Sequence, residues 1–545
     1  MDMNQNLTIK REYIVPALAT ISLLIACAIV SAKKFFWFDE ILSYYLLNDP
    51  SFTHMMVVFG DQLTNTPPLY FILGWFWVKA FSASELSLRL FSSLGICIAC
   101  VTVWITLRRT YSFSSASIGT LGVFCVSELI LIQNSEARMY GLFLAVCALG
   151  LLQYDLLNRQ SNFSRNLLLS NIFIHAAIVQ THLFGLLYSG AIVFALIVRD
   201  RYFKTFRPKI YLSAILSWLS LIPYIPAFIN QADVGNPRSW LPSPTVKNLI
   251  DFFGISGATL SFQTLLIILI LISGLQYIYE SAKEAQKSEI SQQSIVELNG
   301  ETSLLIFAYA WLAVPIFAWI VSRTIKPIFW DRYMIPSTIS WAILLAYFTS
   351  RMICSSRFNL ARNLMNFKLL EIAIIAILLI NPVSQAKSFS RQQLPGLNDG
   401  KYGYKQLPIV TQFSHDFSPR FHYSPDQNRY FYILDWQAAL DIKSGQFATQ
   451  SYKTMEALKR NYPVFENHVV KGEEFLKEHK KFLFLGDINY QKCNSKNRLK
   501  NVACPRWLEM QIMGKPDYKI TDIGQINSRK LLLVEMKKLG RKEGK

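Results

Sequence analysis

The chain has 545 residues, of which 52% are hydrophobic and only 17% are charged, and its mean hydropathy is +0.26. A soluble domain usually has about 25% charged residues, so the composition argues against an ordinary soluble protein. The formal net charge is +19. In a chain rich in apolar runs, this excess is typical of basic cytoplasmic loops, and it does not indicate a nucleic-acid partner.

Apolar runs recur along the chain as far as residue 382. A run of roughly 17–25 such residues can cross the hydrocarbon core of a bilayer, and it must do so as a helix. Eleven spans are predicted, at residues 13–32, 89–107, 115–132, 141–157, 167–181, 184–198, 209–228, 261–280, 302–321, 333–350 and 367–382. The first is too long for the apolar part of a signal peptide, so we predict a retained signal-anchor helix.

The stretch 68–82 is apolar but only fifteen residues long, and it is rich in aromatic residues that favour the membrane interface. If it does not span, the basic loops all fall on one side, at residues 10–11, 108–109, 158–165, 199–209, 283–287 and 351–368. If it did span, these loops would face outward, against the positive-inside rule. We therefore predict an interfacial helix in a long first external loop, a cytoplasmic N-terminus and an extracytoplasmic C-terminus.

The pattern changes after about residue 383, where short β-like runs alternate with helical ones. Strands are predicted at residues 407–413, 430–434, 482–485 and 531–534, and helices at residues 454–460 and 473–479. We predict a transmembrane domain over residues 1–382 and a small extracytoplasmic α/β domain over residues 383–545. Cys493 and Cys504 lie in the second domain, and a disulfide there requires an oxidising compartment.

The predicted topology gathers acidic and basic side chains on the external side. They include Asp39, Glu40, Glu136, Arg138, His182, Arg238 and Arg332. Arginine binds phosphate by a two-pronged, charge-assisted contact. A carboxylate that deprotonates a hydroxyl accelerates a reaction by about 100- to 10,000-fold. This combination predicts a reaction on a lipid-linked phosphate.

The acidic residues also have structural interpretations. Asp39 and Glu40 could begin a helix, where their charges favour the helix dipole, and Glu40 could pair with Lys33 or Lys34. Glu128 lies inside the predicted span 115–132, where an acid is a functional hypothesis by default, and its structural alternative is a hydrogen bond across the helix bundle.

The basic residues have structural interpretations as well. Arg138 could extend to the membrane interface, and Arg332 could pair with the adjacent Asp331. His182 follows a predicted helix end, where a lone histidine is more often an interfacial polar residue. Arg238 lies in a turn-rich loop, where substrate contact is one of two interpretations.

Five short segments resemble, in their order and spacing, the GT-C superfamily of glycosyltransferases. They are Phe38-Asp39-Glu40, Pro67-Pro68-Leu69-Tyr70, Leu88-Arg89-Leu90, Glu136-Ala137-Arg138-Met139-Tyr140-Gly141 and Arg332-Tyr333-Met334-Ile335-Pro336. The branch that they resemble uses dolichyl- or polyprenyl-phosphate sugars and is related to protein O-mannosyltransferases and aminoarabinose transferases (family 39-like). The resemblance covers roughly residues 10–350, and residues 407–435 also resemble the periplasmic domain of bacterial members.

The resemblance implies a polytopic α-helical GT-C fold and transfer of a sugar from a polyprenyl-phosphate donor to an acceptor hydroxyl, with inversion. The acceptor class stays open between protein, lipid and glycan. Asp39 would be the base that activates the acceptor, with Glu40 and Glu136 as further candidate catalytic acids. No cofactor is indicated with certainty, and a divalent metal shared by Asp39 and Glu136 is an open alternative.

The resemblance and the loop positions together assign a set of residues to substrate binding. They are Arg89, Arg138, Tyr140, His182, Arg238, Arg332 and Tyr333. Thr66 stands where many relatives have His or Lys before the paired prolines. The phosphate contact at that point would therefore come from Arg89 or Arg332.

Two other functions compete with the transferase. A transporter or flippase of a lipid-linked polar substrate would explain the spans and external arginines, but not the outer domain or the acid of the first loop. Transporters often contain matching repeats, and we find none in this sequence. A non-catalytic envelope scaffold would tolerate Asp39→Asn. The predicted external site and the possible disulfide favour the plasma (inner) membrane of a bacterium, and in a eukaryotic host the same topology would place the site in a lumen.

Overall fold

The computed structural model describes residues 12–160, 164–236, 240–254, 262–285, 292–354, 368–440, 449–487, 507–527 and 529–537. Contacts between residues divide the chain into two compact units. The first unit contains residues 1–33, 66–225 and 241–390. The second unit contains residues 34–65, 226–240 and 391–545.

Helices dominate the chain as far as Ser388. In chain order they are α1 (Ile14–Ser31), α2 (Phe38–Leu47), α3 (Phe52–Phe59), α4 (Leu69–Phe81), α5 (Glu85–Arg108), α6 (Phe113–Phe124), α7 (Glu128–Gln133), α8 (Tyr140–Arg159), α9 (Arg165–Thr181), α10 (Gly185–Tyr202), α11 (Pro208–Ser217), α12 (Ile225–Asp233), α13 (Val246–Phe252), α14 (Phe262–Ala285), α15 (Gln292–Thr324), α16 (Thr338–Cys354) and α17 (Lys368–Ser388). Two 3-10 turns, Trp218–Tyr224 and Asp331–Ser337, connect α11 to α12 and precede α16.

Six helical stretches among the described residues are long and apolar enough to cross a membrane. They are Ile14–Ser31, Glu85–Arg108, Tyr140–Arg159, Pro208–Asp233, Gly300–Thr324 and Leu369–Ser388. Each coincides with a predicted span. The predicted spans 167–181, 184–198, 261–280 and 333–350 correspond to α9, α10, α14 and α16. The many-helix architecture is therefore confirmed, and the number of membrane crossings stays a prediction.

The predicted span 115–132 is two helices instead of one. α6 ends at Phe124, and the short helix α7 begins at Glu128, which is exposed. The prediction that Glu128 lies within a continuous span was wrong. An acid in the first turn of a helix interacts favourably with the helix dipole, which explains its position here.

The aromatic stretch 68–82 forms α4, whose thirteen residues give a helix of about 20 Å. That is shorter than the hydrocarbon core, as predicted for a helix that does not span. Its interfacial position stays a prediction.

α5 and α8 cross at small residues. A Cβ atom on Gly141 would overlap the carbonyl oxygen of Ser92, and one on Gly95 would overlap the backbone of Gly141. Small residues allow two apolar helices to approach closely enough for such backbone contact. The crossing fixes the beginning of α8, which is the segment that carries the Glu136–Gly141 motif.

Buried aspartates hold the basic loops of the first unit. Asp155 accepts hydrogen bonds from Nε of Arg109, at 2.7 Å, and of Arg159, at 2.8 Å. Asp200 accepts from Nη1 of Arg199 at 3.0 Å and from Nε of Arg207 at 2.7 Å. Each pair joins positions that the predicted topology puts on the same side of the membrane.

The second unit contains a six-stranded sheet. Its strands are β1 (Ile409–Thr411), β2 (Tyr430–Ile433), β3 (Val469–Val470), β4 (Lys481–Asp487), β5 (Tyr518–Ile526) and β6 (Arg529–Met536), in the order β3-β2-β1-β4-β6-β5. The first four strands in that order are parallel, and β6 and β5 extend the sheet antiparallel to β4. All four predicted strands are present, whereas β3 and β5 were not predicted. The helices are α18 (Ser414–Tyr423), α19 (Trp436–Leu440), α20 (Gln450–Asn461), α21 (Gly472–Glu478) and α22 (Trp507–Ile512).

The core of the sheet is apolar because parallel strands are covered on both faces. Val410, Ile433, Phe484 and Val534 are completely buried at its centre. The predicted helices 454–460 and 473–479 correspond to α20 and α21. Cys493 and Cys504 lie outside the described residues, so their pairing stays a prediction.

Two segments from the earlier part of the chain belong to the second unit. In the first loop, Asp61 accepts from Nη2 of Arg460 at 2.8 Å, and Gln231 of the 226–240 segment donates to the carbonyl oxygen of Phe59 at 2.7 Å. Nζ of Lys453 donates to the carbonyl oxygen of Asp233 at 2.7 Å. The predicted topology puts all three segments on the extracytoplasmic side. The assignment of residues 1–382 as the catalytic domain stays a prediction.

Candidate functional site

The segment that leads into α8 is anchored by polar side chains of neighbouring helices. Ser92 Oγ donates to the carbonyl oxygen of Arg138 at 2.8 Å, and Ser93 Oγ donates to Oδ1 of Asn134 at 2.8 Å. Nδ2 of Asn134 in turn donates to the carbonyl oxygen of Leu23 at 2.9 Å. The backbone that presents Glu136, Arg138 and Tyr140 is therefore fixed against α1 and α5.

The 3-10 turn that carries Arg332 and Tyr333 is anchored in the same way. The hydroxyl of Tyr188 lies 3.2 Å from the carbonyl oxygen of Met334 and 2.7 Å from Oγ of Ser337. Ser337 Oγ also donates to the carbonyl oxygen of Trp311 at 3.2 Å. These bonds connect the turn to α10 and α15, so the Arg332 backbone is held from two helices.

His182 lies between these two segments and is surrounded by aromatic rings. Its ring centroid is 5.0 Å from that of Phe143, 5.2 Å from Tyr333, 5.6 Å from Phe184 and 5.9 Å from Tyr140. Only 3% of the residue is exposed. His182 is therefore enclosed by side chains, and its position relative to the membrane interface stays a prediction.

Two guanidinium groups act on this enclosed ring. Burial and the nearby charges of Arg138 and Arg332 lower the pKa of His182 to about 3. Nδ1 of His182 accepts a hydrogen bond from the backbone N–H of Phe184 at 3.1 Å. The neutral imidazole therefore carries its proton on Nε2 and can donate from that atom.

Arg332 itself packs against the aromatic rings. Its Cζ atom lies 5.6 Å from the centroid of Tyr140 and 5.9 Å from that of Tyr333, within the range of cation–π contact. We call Arg138, Tyr140, His182, Arg332 and Tyr333 the arginine–aromatic cluster. It brings together five residues that the sequence assigned to substrate binding. Such a cluster can bind an anion, because charges interact strongly where water is scarce.

Two further predicted residues belong to the same unit. Arg89 is fully buried in α5. It precedes Ser92 by three residues and so shares a helix face with the serine that holds Arg138. Glu136 is 8% exposed, in the anchored segment before α8. Their predicted roles in substrate binding and catalysis stay predictions.

Asp39 and Glu40 lie in the second unit, in the first turn of α2. Glu40 is fully buried, and its Oε2 accepts from the backbone N–H of Trp37 at 3.3 Å. This contact caps α2. The structural interpretation of the acidic pair included a helix start here, but not the capping contact. Asp39 is half-buried, and its carbonyl oxygen accepts from Oγ of Ser43 at 3.1 Å.

Two predicted assignments, the role of Arg238 and a metal site, are not tested by the contacts described above. Arg238 lies outside the described residues. Within the parts of the chain that the structure describes, no three His, Cys, Asp or Glu side chains are grouped to hold a metal ion. A metal shared by Asp39 and Glu136, which belong to different units, stays a prediction.

The sequence did not identify Phe143, Phe184 or Ser92 as parts of the site. Phe143 follows Tyr140 by three residues and therefore lies on the same face of α8, so helical spacing could have indicated it. Ser92 bonds the carbonyl oxygen of Arg138, and Phe184 bonds His182 through its own N–H. Patterns of residue types in a sequence do not reveal contacts that involve the backbone.

No protein-family model matches the chain, and no curated protein matches its sequence. Among solved structures, the chain is similar to ArnT from Cupriavidus metallidurans in the apo state, with 11% identity, a TM-score of 0.55, and coverage of 95% of this chain and 97% of that chain. The structure of the same enzyme bound to undecaprenyl phosphate gives 11% identity, a TM-score of 0.51 and the same coverage of 95% and 97%. A third similar structure is the archaeal oligosaccharyltransferase AglB from Archaeoglobus fulgidus, in complex with an inhibitory peptide and a dolichol-phosphate, with 12% identity, a TM-score of 0.42 and coverage of 87% and 70%. The chain therefore shares the fold of ArnT, and this agrees with the fold that the sequence resemblance implied.

Proposed function

We propose that this chain is a membrane glycosyltransferase that moves a sugar from a polyprenyl-phosphate donor to an acceptor hydroxyl at the extracytoplasmic face, with inversion. The observation that carries the proposal is the arginine–aromatic cluster, in which two half-buried arginines lie near a neutral histidine that is itself buried among aromatic rings. The cluster occurs on the fold of ArnT, which has been solved with undecaprenyl phosphate.

The positive charges of the cluster are suited to the increase in negative charge on the donor phosphate during the reaction. The donor is a phosphodiester with one negative charge. Breaking the bond between the anomeric carbon and the phosphate oxygen leaves a phosphate monoester with more negative charge. Arg138 and Arg332 would stabilise that increase in the transition state, which is where binding energy accelerates a reaction. Neutral His182 would add a hydrogen-bond donor at Nε2.

Asp39 would act as the base. The acceptor oxygen attacks the anomeric carbon, its proton passes to the Asp39 carboxylate, and the polyprenyl phosphate leaves without a general acid. The capping contact of Glu40 supports a structural role for that second carboxylate and so favours Asp39 over it. Glu136 stays the alternative acid, and a divalent metal between Asp39 and Glu136 stays a prediction.

The proposed setting is the plasma (inner) membrane, with several crossings and an extracytoplasmic C-terminal region. Two observations support this orientation. Residues 34–65, 226–240 and 391–545, most of which are predicted to be external, share one compact unit, and Asp155 at the end of a predicted span pairs with Arg109 and Arg159 of two loops predicted to be internal. The bilayer, a polyprenyl-phosphate sugar and a protein, lipid or glycan acceptor would be its partners.

The test is release of polyprenyl phosphate from a panel of polyprenyl-phosphate sugars, with purified protein and cell-envelope extract as acceptor. Asp39→Asn and Glu40→Gln are compared with the wild type, because both substitutions remove a charge while Gln at position 40 can still cap α2. Release by the wild type and Glu40→Gln, with a loss of at least about 100-fold in Asp39→Asn, would support the assignment. No release from any donor, by folded protein that binds those donors, would favour the transporter.

A further inference from the structure

Three consecutive backbone N–H groups lead into α2, and each donates to a side chain. Phe35 N donates to Oε1 of Gln392 at 3.0 Å, and Phe36 N donates to the hydroxyl of Tyr423 at 2.8 Å. Trp37 N donates to Glu40, as described above. Two of the three acceptors thus come from residues more than 350 positions later in the chain.

The same region is packed by histidine rings of α18. The His415 ring lies 4.9 Å from that of Phe38 and is stacked on Trp37 at 6.4 Å. His422, two helical turns later, contacts the edge of Tyr44 at 4.7 Å. One face of α18 therefore packs along the beginning and the middle of α2.

These contacts determine where Asp39 is held. Asp39 is the second residue of α2, directly after the segment whose N–H groups are bonded by Gln392, Tyr423 and Glu40. A backbone N–H that loses its partner must find another or pay a desolvation cost. The acceptors thus favour one path of the chain into α2 and one position for its first turn.

We propose that Tyr423 and Gln392 are positioning residues for Asp39, so that the C-terminal region acts in the reaction through the acid of the first loop. The inference rests on the proposed function in one respect, because it takes Asp39 to be the base. The contacts themselves do not depend on that role. The proposal therefore has two tests. The first measures hydrogen exchange of the backbone around α2, and the second measures the rate of polyprenyl phosphate release.

The first test is amide hydrogen exchange of the purified full-length protein over residues 34–47. Tyr423→Phe keeps the ring and removes the acceptor of the Phe36 N–H. We expect exchange at the start of α2 to become about 3- to 10-fold faster. Tyr402→Phe is the matched control, because the Tyr402 hydroxyl bonds the backbone of Gln525 at 3.0 Å within the same unit. It should leave residues 34–47 unchanged.

Two substitutions of Gln392 test the second acceptor, one that removes the acceptor oxygen and one that keeps it. Gln392→Leu removes the acceptor of the Phe35 N–H and should accelerate exchange, whereas Gln392→Glu keeps an acceptor oxygen and should restore slow exchange. Unchanged exchange in both Tyr423→Phe and Gln392→Leu would overturn the proposal, because the backbone would then not depend on these side chains.

The second test is the rate of polyprenyl phosphate release in a double-mutant cycle. Tyr423→Phe should lower kcat by about 3- to 10-fold without changing KM for the donor, and it should have no further effect in Asp39→Asn. An undiminished effect of Tyr423→Phe in the Asp39→Asn background would overturn the positioning role. If Asp39→Asn alone keeps the wild-type rate, the assignment of the base fails, and this result is separate from the exchange result.

Discussion

Arginines gather in two regions of the first unit, and their surroundings differ. At the ends of α8 and α10, Arg109, Arg159 and Arg207 donate to the carboxylates of Asp155 and Asp200, which are 3% and 1% exposed. In the arginine–aromatic cluster, Arg332 lies over tyrosine rings beside a histidine that is held neutral.

The difference teaches that arginine content does not identify a site. A buried carboxylate neutralises the charge of its arginine partners, and the ion pair then stabilises the local structure. In the arginine–aromatic cluster the Arg332 guanidinium lies over tyrosine rings near a neutral histidine, and we propose that it contacts the phosphate of the donor. Three substitutions separate these two uses of the same side chain.

The largest effect is expected at Asp200, whose carboxylate pairs with Arg199 and Arg207. Asp200→Asn should lower the free energy of unfolding by about 3–5 kcal/mol, because it leaves buried guanidinium groups without their counter-charge. Although burial raises the pKa of the Asp200 carboxyl, hydrogen bonds from Arg207 and Tyr211 bring it below its usual value, so the group is ionised at neutral pH. Denaturant unfolding in detergent measures the effect. Glu280→Gln, at an exposed position of α14, is the control and should change stability by less than about 0.5 kcal/mol.

A smaller effect of another kind is expected in the cluster. Arg332→Gln should lower kcat/KM for the donor by about 100-fold, which corresponds to about 2.7 kcal/mol of transition-state stabilisation. The unfolding midpoint should stay near that of the wild type. Arg323→Gln changes an exposed arginine in the last turn of α15 and should leave kcat/KM unchanged. A stability loss in Arg332→Gln as large as that in Asp200→Asn would remove the distinction between the two regions.

The smallest effect concerns the pH dependence of His182. Because its pKa falls to about 3, the unfolded chain binds a proton below about pH 6.5 that the folded protein does not bind. Stability should therefore decrease as the pH falls from 6.5 toward 3. At pH 5 the wild type should have lost about 2 kcal/mol more than His182→Gln, relative to pH 8.

The same shift predicts the pH profile of the reaction. The rate profiles of the wild type and His182→Gln should have the same shape between pH 5 and 8, because the ring does not titrate there. A limb near pH 6.5 that disappears in His182→Gln would show that the ring is protonated in the working enzyme.

Apolar length and loop charge were sufficient to predict most helices, because membrane crossing imposes strong requirements on composition. The broken span at 115–132 was missed because the Cys125–Ser127 break contains no proline or glycine. Of the strands, β3 was missed because it has only two residues and its pairing with β2 is long-range.

The cluster was predicted as a set of residues but not as an arrangement. The alternation of predicted internal and external loops placed Arg138, His182 and Arg332 on one side, and the structure brings the two half-buried arginines close to the buried histidine. The neutrality of His182 could not be predicted, because it depends on enclosure by Phe143, Tyr333 and Phe184 from three separate segments. A helix start at Asp39 and Glu40 was among the predicted alternatives, but the capping contact of Glu40 was not predicted, since capping patterns begin with Ser or Thr and not with Trp.

The composition of the second unit has a consequence for synthesis of the protein. Residues 34–65 complete their fold only with residues 391–545, and roughly 330 residues of chain separate these two segments. At about 5–20 residues per second, the ribosome needs roughly 15 to 65 s to make that interval. During this time the intervening helices are inserted, and the segment before α2 lacks the hydrogen-bond acceptors of Gln392 and Tyr423. A nascent chain that stops before residue 391 would therefore contain the membrane helices, but its first loop, with Asp39, would not be folded. Cellular quality control could recognise such a chain by this unfolded loop.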